Sequence, residues 1–394
     1  QGSGQLFNAN FDGTPMVVTA AMRDNGSFGD HSTLGVSSGH AQINTVADVT
    51  KNRWEVRDAR GVPMATRRAF KEALTMPTGP VYLAFSGEAL DAKEVEAVIQ
   101  PGEAVATAEH PQAASLAAIH DALLNAENPL LVVGPDVANA RAQRDLLELV
   151  ENYALPVAIN FFDYSSFPPT HANHVGMVDG VPDGEHDVVC CIGYRPNTRA
   201  NPTDERFPDA LKIGIGHDPA MLGNTFPLDL HLWSNVGTAM SALNTLWNPA
   251  DANLHHISRR RADLSAKGAE RLRKREASIA AVAGAHPIHP DYLSHQMGRC
   301  LAPGSVVVSE NFSQSDQYMP FGFADDDWKL VRTYGGSLGY GLGGAIGAQL
   351  AEPDRPTVLS IGDGSVMFSA AGFWTMARYG LPIVTVVWTI MQYQ

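Results

Sequence analysis

The sequence predicts an α/β protein of three doubly wound parallel-sheet domains, the first and the last incomplete. Three observations carry this. Short apolar, β-branched runs such as "PVYLAF", "PLLVVG", "DVVCCIG", "PTVLSI" and "IVTVVW" recur along the 394 residues. Continuous apolar runs of this length are typical of strands buried on both faces. Helix-length stretches alternate with many of them, which is the grammar of a parallel sheet, and glycine and proline punctuate the joins.

Composition narrows the function classes. Lys and Arg number 28 against 42 Asp and Glu, a net charge of −14. That disfavours nonspecific nucleic-acid binding, which needs clustered positive charge. The three cysteines have neither zinc spacing nor disulfide density, and Cys190 and Cys191 sit in an apolar run. This suits a reducing cytoplasm. The longest apolar stretches are strand-length, so no membrane span is expected. No signal peptide is visible at Gln1, and the chain reads as part of a longer one, opening in mid-fold and stopping just after a buried strand.

The first block, residues 1–98, opens with a helix and a turn. Strand 15–20, a long polar loop, helix 62–74 and strand 80–85 follow. A linker rich in Glu, Ala and Pro leads on. The second block, residues 99–280, holds helix 113–126, strand 129–134, helix 140–153, and strands 156–160, 186–193 and 211–216. "VVGPDVANA" lacks the G-x-G-x-x-G spacing of a dinucleotide turn. The basic stretch 258–277 reads as a solvated helix between domains, and Asp325–Asp327 as a wet loop.

The third block, residues 281–394, concentrates the chemistry. A strand ends at Glu310 and enters the hydroxyl-rich "NFSQSD". "TYGGSLGYGLGGAIGAQLAEP" is a glycine-rich turn entering a helix, with Gly339, Gly343 and Gly347 spaced to share one face and admit a close backbone. "PTVLSI" then leads through Gly362-Asp363-Gly364 into a second helix, ended by Gly380 and Pro382. Two readings of Asp363 stand side by side. It caps the helix, or it holds a divalent cation that bridges to phosphate at the strand's C-terminal edge.

"YGGSLGYGLGGAIGAQLAEPDR" followed by "IGDGSVMFSAAGFWTMARYGLPIVTVVW" resembles the diphosphate-binding domain of thiamine diphosphate-dependent 2-oxo acid decarboxylases and carboligases, the benzoylformate decarboxylase and acetolactate synthase family. "FNANFDGTPMVVTAAMRD" and "TGPVYL" resemble the end of that family's pyrimidine-binding domain, and the middle block its central domain. The resemblance implies three domains of the thiamine diphosphate-binding type, with boundaries near 98 and 280. It implies thiamine diphosphate and Mg²⁺ as cofactors. Asp363 would be the metal ligand, with Gly362, Gly364, Ser365 and Tyr393 around the diphosphate. Leu338 would lie under the thiazolium, and Gly336 and Ser337 would offer carbonyls to the aminopyrimidine. Ser313 would flank the active centre, and His289 would either transfer protons or simply open a helix.

The resemblance further implies non-oxidative decarboxylation of a 2-oxo acid, with an acetolactate synthase-like carboligase or a 2-hydroxyacyl-CoA lyase as alternatives. A homodimer or homotetramer is expected, with no nucleic-acid or membrane partner. Three departures qualify it. The family's activating glutamate and neighbouring histidine precede Gln1. Thr389 and Ile390 stand where the family has an Asn-Asn pair, so either the metal is held by Asp363, a carbonyl near Gln392 and water, or these residues are not contiguous in the parent chain. The family's closing C-terminal helices follow Gln394. A thiamine-fold protein without catalysis, acting as a binding or assembly module, is the alternative of another class.

Overall fold

The computed structural model describes residues 2–22, 42–99, 111–160, 163–194, 206–224, 227–311 and 329–389. They fall into two compact units, Gln1–Ala108 with Thr333–Tyr340, and Glu109–Arg332 with Gly341–Gln394. The described residues form three parallel sheets, one in the first unit and two in the second.

In the first unit, α1 (Gly2–Asp12) leads into β1 (Met16–Met22), then β2 (Asn52–Val56), α2 (Val62–Leu74), β3 (Pro80–Ser86) and the short α3 (Gly87–Asp91). The sheet order is β1-β3-β2. β3 is buried along its whole length, as its unbroken apolar run requires. β2 corrects the expected polar loop. Its "NRWEV" alternates charged and apolar residues, and only Val56 is fully buried. Beside α2, Lys51 Nζ donates to the carbonyls of Glu72 (2.7 Å) and Thr75 (2.6 Å), closing that helix's C-terminal end.

The second unit opens with α4 (Ala113–Asn125), β4 (Pro129–Val133), α5 (Asp136–Asn139), α6 (Gln143–Tyr153), β5 (Val157–Ile159), β6 (His174–Met177), β7 (Val188–Ile192), β8 (Leu211–Gly216), β9 (Leu230–Trp233) and α7 (Val236–Leu246). The six parallel strands lie in the order β6-β5-β4-β7-β8-β9, the winding order reversing between β4 and β7. Leu130, Leu131, Val132 and Val133 of β4 are at most 1% exposed, each such side chain contributing about 1.5–3 kcal/mol of burial. The helix expected over 140–153 begins only at Gln143, because Arg141 takes a left-handed φ of 55°. β6, β9 and α7 were not expected. The two strands are four residues each and carry a histidine, so neither reads as an apolar run. At the reversal point the chain ends of β4 and β7 approach closely: a Cβ on Gly134 would strike the Gly193 carbonyl.

The basic stretch is α8 (His255–Ala281). It is not solvated throughout. Arg260 is 7% exposed and donates to the carbonyls of Ala126 (2.7 Å), Tyr153 (2.5 Å) and Ala154 (2.7 Å). Those carbonyls end α4 and α6, where unpaired acceptors concentrate. Burial lowers the guanidinium's pKa to about 10.

After α9 (Pro290–Cys300) come β10 (Val306–Glu310), β11 (Lys329–Val331), α10 (Gly341–Ala351), β12 (Thr357–Gly362), α11 (Asp363–Ser369), α12 (Gly372–Tyr379) and β13 (Ile383–Trp388), with strand order β11-β10-β12-β13. The glycine face is a correction. Gly339 precedes α10 with φ 98°, and a Cβ on Gly343 or Gly347 would meet nothing within 4 Å. The close approach is made by Gly341, whose Cβ would lie 2.8 Å from Glu310 Oε2 and 3.0 Å from Glu310 Cβ. Gly380 ends α12 in the left-handed conformation at φ 61°, as its position after the helix suggested.

Candidate cofactor-binding site

β10, β12 and β13 end together, with Glu310 opposite Ile361 and Gly362 opposite Trp388. The C-terminal edge of a parallel sheet is where such folds bind ligands. Gly362, which has no side chain to offer, is the N-cap of α11. Asp363 is therefore not the cap. It is the first helical residue, and its Oδ1 accepts the Gly364 N–H at 2.8 Å. Among the described residues no cation pairs with Asp363, and its second oxygen takes no hydrogen bond. Ser365 is 7% exposed, and its hydroxyl likewise has no partner among the described residues.

This donor set fits a hard cation and a phosphate. Mg²⁺ takes one or two carboxylates and fills its remaining positions with phosphate oxygens and water. A half-buried carboxylate with one open oxygen beside an open hydroxyl matches that pattern. Among the described residues no three His, Cys, Asp or Glu side chains cluster into a protein-only metal cage. Gly364 differs from expectation in one respect, since its N–H is engaged by Asp363 rather than open to phosphate. Ser313, Tyr393, Ile390, Gln392 and Asp325–Asp327 lie outside the described residues, while Thr389 is exposed just beyond β13.

Glu310 anchors this edge. It is 1% exposed, and its Oε2 accepts the Gly341 N–H at the start of α10 at 2.5 Å. His289 is the N-cap of α9, its Nδ1 accepting the Asp291 N–H at 3.3 Å. Of its two expected roles, the structure displays the helix-opening one.

Gly336, Ser337 and Leu338 belong to the first unit, where segment 333–340 packs with α1. Gly336 and Gly339 have φ of 82° and 98°, conformations open to glycine at little cost. Asn8 Oδ1 accepts the Ser337 N–H at 3.0 Å and Asn8 Nδ2 donates to the Ser337 carbonyl at 2.8 Å. Gln5 Nε2 donates to the Leu338 carbonyl at 2.9 Å. Asp12 accepts from the Tyr334 N–H at 3.0 Å and from the Thr333 hydroxyl. The Gly336 carbonyl takes no hydrogen bond among the described residues. Sequence reasoning missed Gln5, Asn8 and Asp12. The available signal was Asn8, a polar residue between Leu6 and Ala9 on the buried side of a helix.

Comparison with known proteins agrees with this architecture. Residues 116–243 match the family profile described as thiamine pyrophosphate enzyme, central domain, and residues 315–393 the profile described as thiamine pyrophosphate enzyme, C-terminal TPP binding domain. The chain is 25% identical to the acetolactate synthase large subunit of Parasynechococcus marenigrum, over 97% of its own length and 62% of that protein. It is 26% identical to benzoylformate decarboxylase of Pseudomonas aeruginosa, over 98% of its own length and 71% of that protein. Among solved structures, the thiamine diphosphate-dependent 4-hydroxybenzoylformate decarboxylase of Rhodococcus jostii superposes with a TM-score of 0.75 at 22% identity, covering 98% of this chain and 71% of that one. Benzoylformate decarboxylase from Polynucleobacter necessarius gives 0.76 at 20% identity, with the same coverage. These superpositions establish the fold.

Proposed function

The chain belongs to the thiamine pyrophosphate enzyme family, and from that premise we propose that the whole protein catalyses Mg²⁺- and thiamine diphosphate-dependent, non-oxidative decarboxylation of a 2-oxo acid. The observation that carries the reading is Asp363, a carboxylate at the end of β12 that does not cap its helix and, among the described residues, pairs with no cation and keeps one oxygen open. Asp363 holds the metal through that oxygen, and Ser365 donates its hydroxyl to the diphosphate. Leu338 supports the thiazolium, and the open Gly336 carbonyl accepts from the aminopyrimidine. Bound, the cofactor supplies the nucleophilic carbon and the electron sink that decarboxylation requires.

His289 is the chain's proton carrier in this reading. Because its Nδ1 accepts the Asp291 N–H, the neutral ring carries its proton on Nε2, which has no partner among the described residues. We place domain boundaries near residues 98 and 280, a homodimer or homotetramer as the assembly, and the cytoplasm as the location. Among the described residues no helix is long and apolar enough to cross a membrane.

An acetolactate synthase-like carboligase is the second reading, favoured by a relative of nearly equal identity. The middle block carries no G-x-G-x-x-G spacing for a dinucleotide such as a flavin cofactor, which supports the decarboxylase. Product analysis of the full-length protein with benzoylformate and with pyruvate separates the two. Cofactor-dependent benzaldehyde and CO₂ are expected. Acetolactate as the only product would overturn the proposal.

A further inference from the structure

Gln5, Asn8 and Asp12 lie at positions i, i+3 and i+7 of α1, and so on one helical face. All three point their hydrogen-bonding groups at one irregular segment, Thr333 to Leu338. We propose that Asn8 and Gln5 are positioning residues for the cofactor: they fix the backbone of Gly336–Leu338 in the shape that receives it. The inference rests on the thiamine diphosphate reading above and deepens it.

The segment cannot set its own shape. It has no helix or strand ladder, and its glycines at φ 82° and 98° are free to leave those conformations. What restrains residues 336–338 is side-chain amide chemistry, while Asp12 and the Thr333 hydroxyl hold the residues before them. Asn8 bonds both the N–H and the C=O of Ser337, which takes one donor and one acceptor at a fixed spacing. A carboxylate there would face the Ser337 carbonyl with no proton to give, and an apolar residue would offer neither bond. Asn8 is 4% exposed, so water does not compete. Gln5 holds the next carbonyl, that of Leu338.

Steric constraints require the same fit. A Cβ on Gly335 would stand 2.5 Å from Asn8 Oδ1 and 2.8 Å from Asn8 Cα, and one on Gly4 would run into Ser337 Oγ. Gly335 thus meets the helix at backbone distance, and Gly4 meets the Ser337 side chain. Of three consecutive carbonyls, α1 engages those of Ser337 and Leu338 and leaves that of Gly336 open. Fixing two neighbouring peptide units also fixes the direction of the third.

The test uses the full-length protein with Asn8→Ala and Gln5→Ala. Two quantities are measured: hydrogen exchange in the 333–340 peptide, with β3 as the control, and the affinity of the folded protein for Mg²⁺-thiamine diphosphate by calorimetry. Asn8→Ala is expected to speed exchange in 333–340 without changing β3, and to weaken cofactor affinity about tenfold. Gln5 is only partly buried, so Gln5→Ala decides the matter if Asn8→Ala does not fold. It should weaken affinity severalfold with the urea midpoint unchanged. A merely structural role would lower the midpoint and leave the folded protein's affinity intact. That outcome, or unchanged exchange in 333–340, overturns the proposal. If the wild type itself binds no thiamine diphosphate, the functional reading fails and this inference falls with it, a result the wild-type titration shows separately.

Discussion

Glu310 holds the first amide of α10 in place: its Oε2 accepts the Gly341 N–H at 2.5 Å, and no side chain larger than hydrogen fits at Gly341. Glu310→Ala should cost about 1–3 kcal/mol by leaving a buried donor unsatisfied. Gly341→Ala should also destabilise, because its methyl would meet Glu310 and, at 3.2 Å, Ile361 Cδ1. Gly343→Ala and Gly347→Ala lie inside the same helix facing open space, and should each stabilise by about 0.4–1 kcal/mol. Urea midpoints of the four variants check the ordering. A stabilised Gly341→Ala would contradict the contact.

Asp363→Ala should weaken Mg²⁺-dependent binding of thiamine diphosphate about 100-fold, or roughly 2.7 kcal/mol. Stability without cofactor should move by less than about 0.5 kcal/mol, because among the described residues the side chain makes only the bond to Gly364. Chelating the metal from the wild type should bring its affinity to the variant's level, and chelation should leave the variant unchanged. Titration calorimetry with and without chelator reads all of these.

Arg260→Ala should be among the most destabilising changes in the second unit. It leaves the buried carbonyls of Ala126, Tyr153 and Ala154 without their donor, at a cost of about 2–5 kcal/mol. Arg260→Lys keeps the charge but cannot span three acceptors with a planar fork, and should recover less than half. Denaturant midpoints measure both.

His174 predicts a pH dependence. Its Nε2 is buried without a partner among the described residues, and its ring stacks on Phe167 at 6.4 Å. Burial first, then Arg271, Arg275 and His171, lower its pKa to about 3. As pH falls the unfolded chain takes up the proton first, so the neutral ring's contribution is complete above about pH 6.5 and is lost toward about pH 3. Within that window the slope is about 1.4 kcal/mol per pH unit. His174→Phe should remove this contribution. Urea melts at pH 7.5 and 5.5 should therefore show a larger loss for the wild type than for the variant. Equal losses would refute the assignment.

Much of the fold was legible because buried parallel strands are written as unbroken apolar runs. β3, β4, β7, β8, β12 and β13 all appeared this way. β2, β6, β9 and β11 did not, being three to five residues long and carrying charge, histidine or glycine. At the candidate site, Asp363 was legible from its own turn, between an apolar strand and a helix. Asn8 was not, because its partner lies 329 residues away and a side chain bonding to backbone leaves no complementary residue type to find. The glycine spacing misled for a related reason. Period shows which residues share a helical face, but not whether anything packs there, and among the described residues nothing does at Gly343 and Gly347.

The first unit is assembled from two distant stretches of chain, and this bears on how it is made. At a ribosomal rate of about 5–20 residues per second, Ser337 emerges roughly 15–65 s after Asn8. Through that interval the amide face of α1 has no peptide to grip, and the nascent domain must wait in a partly finished form. Its completion is thus timed by translation of everything in between.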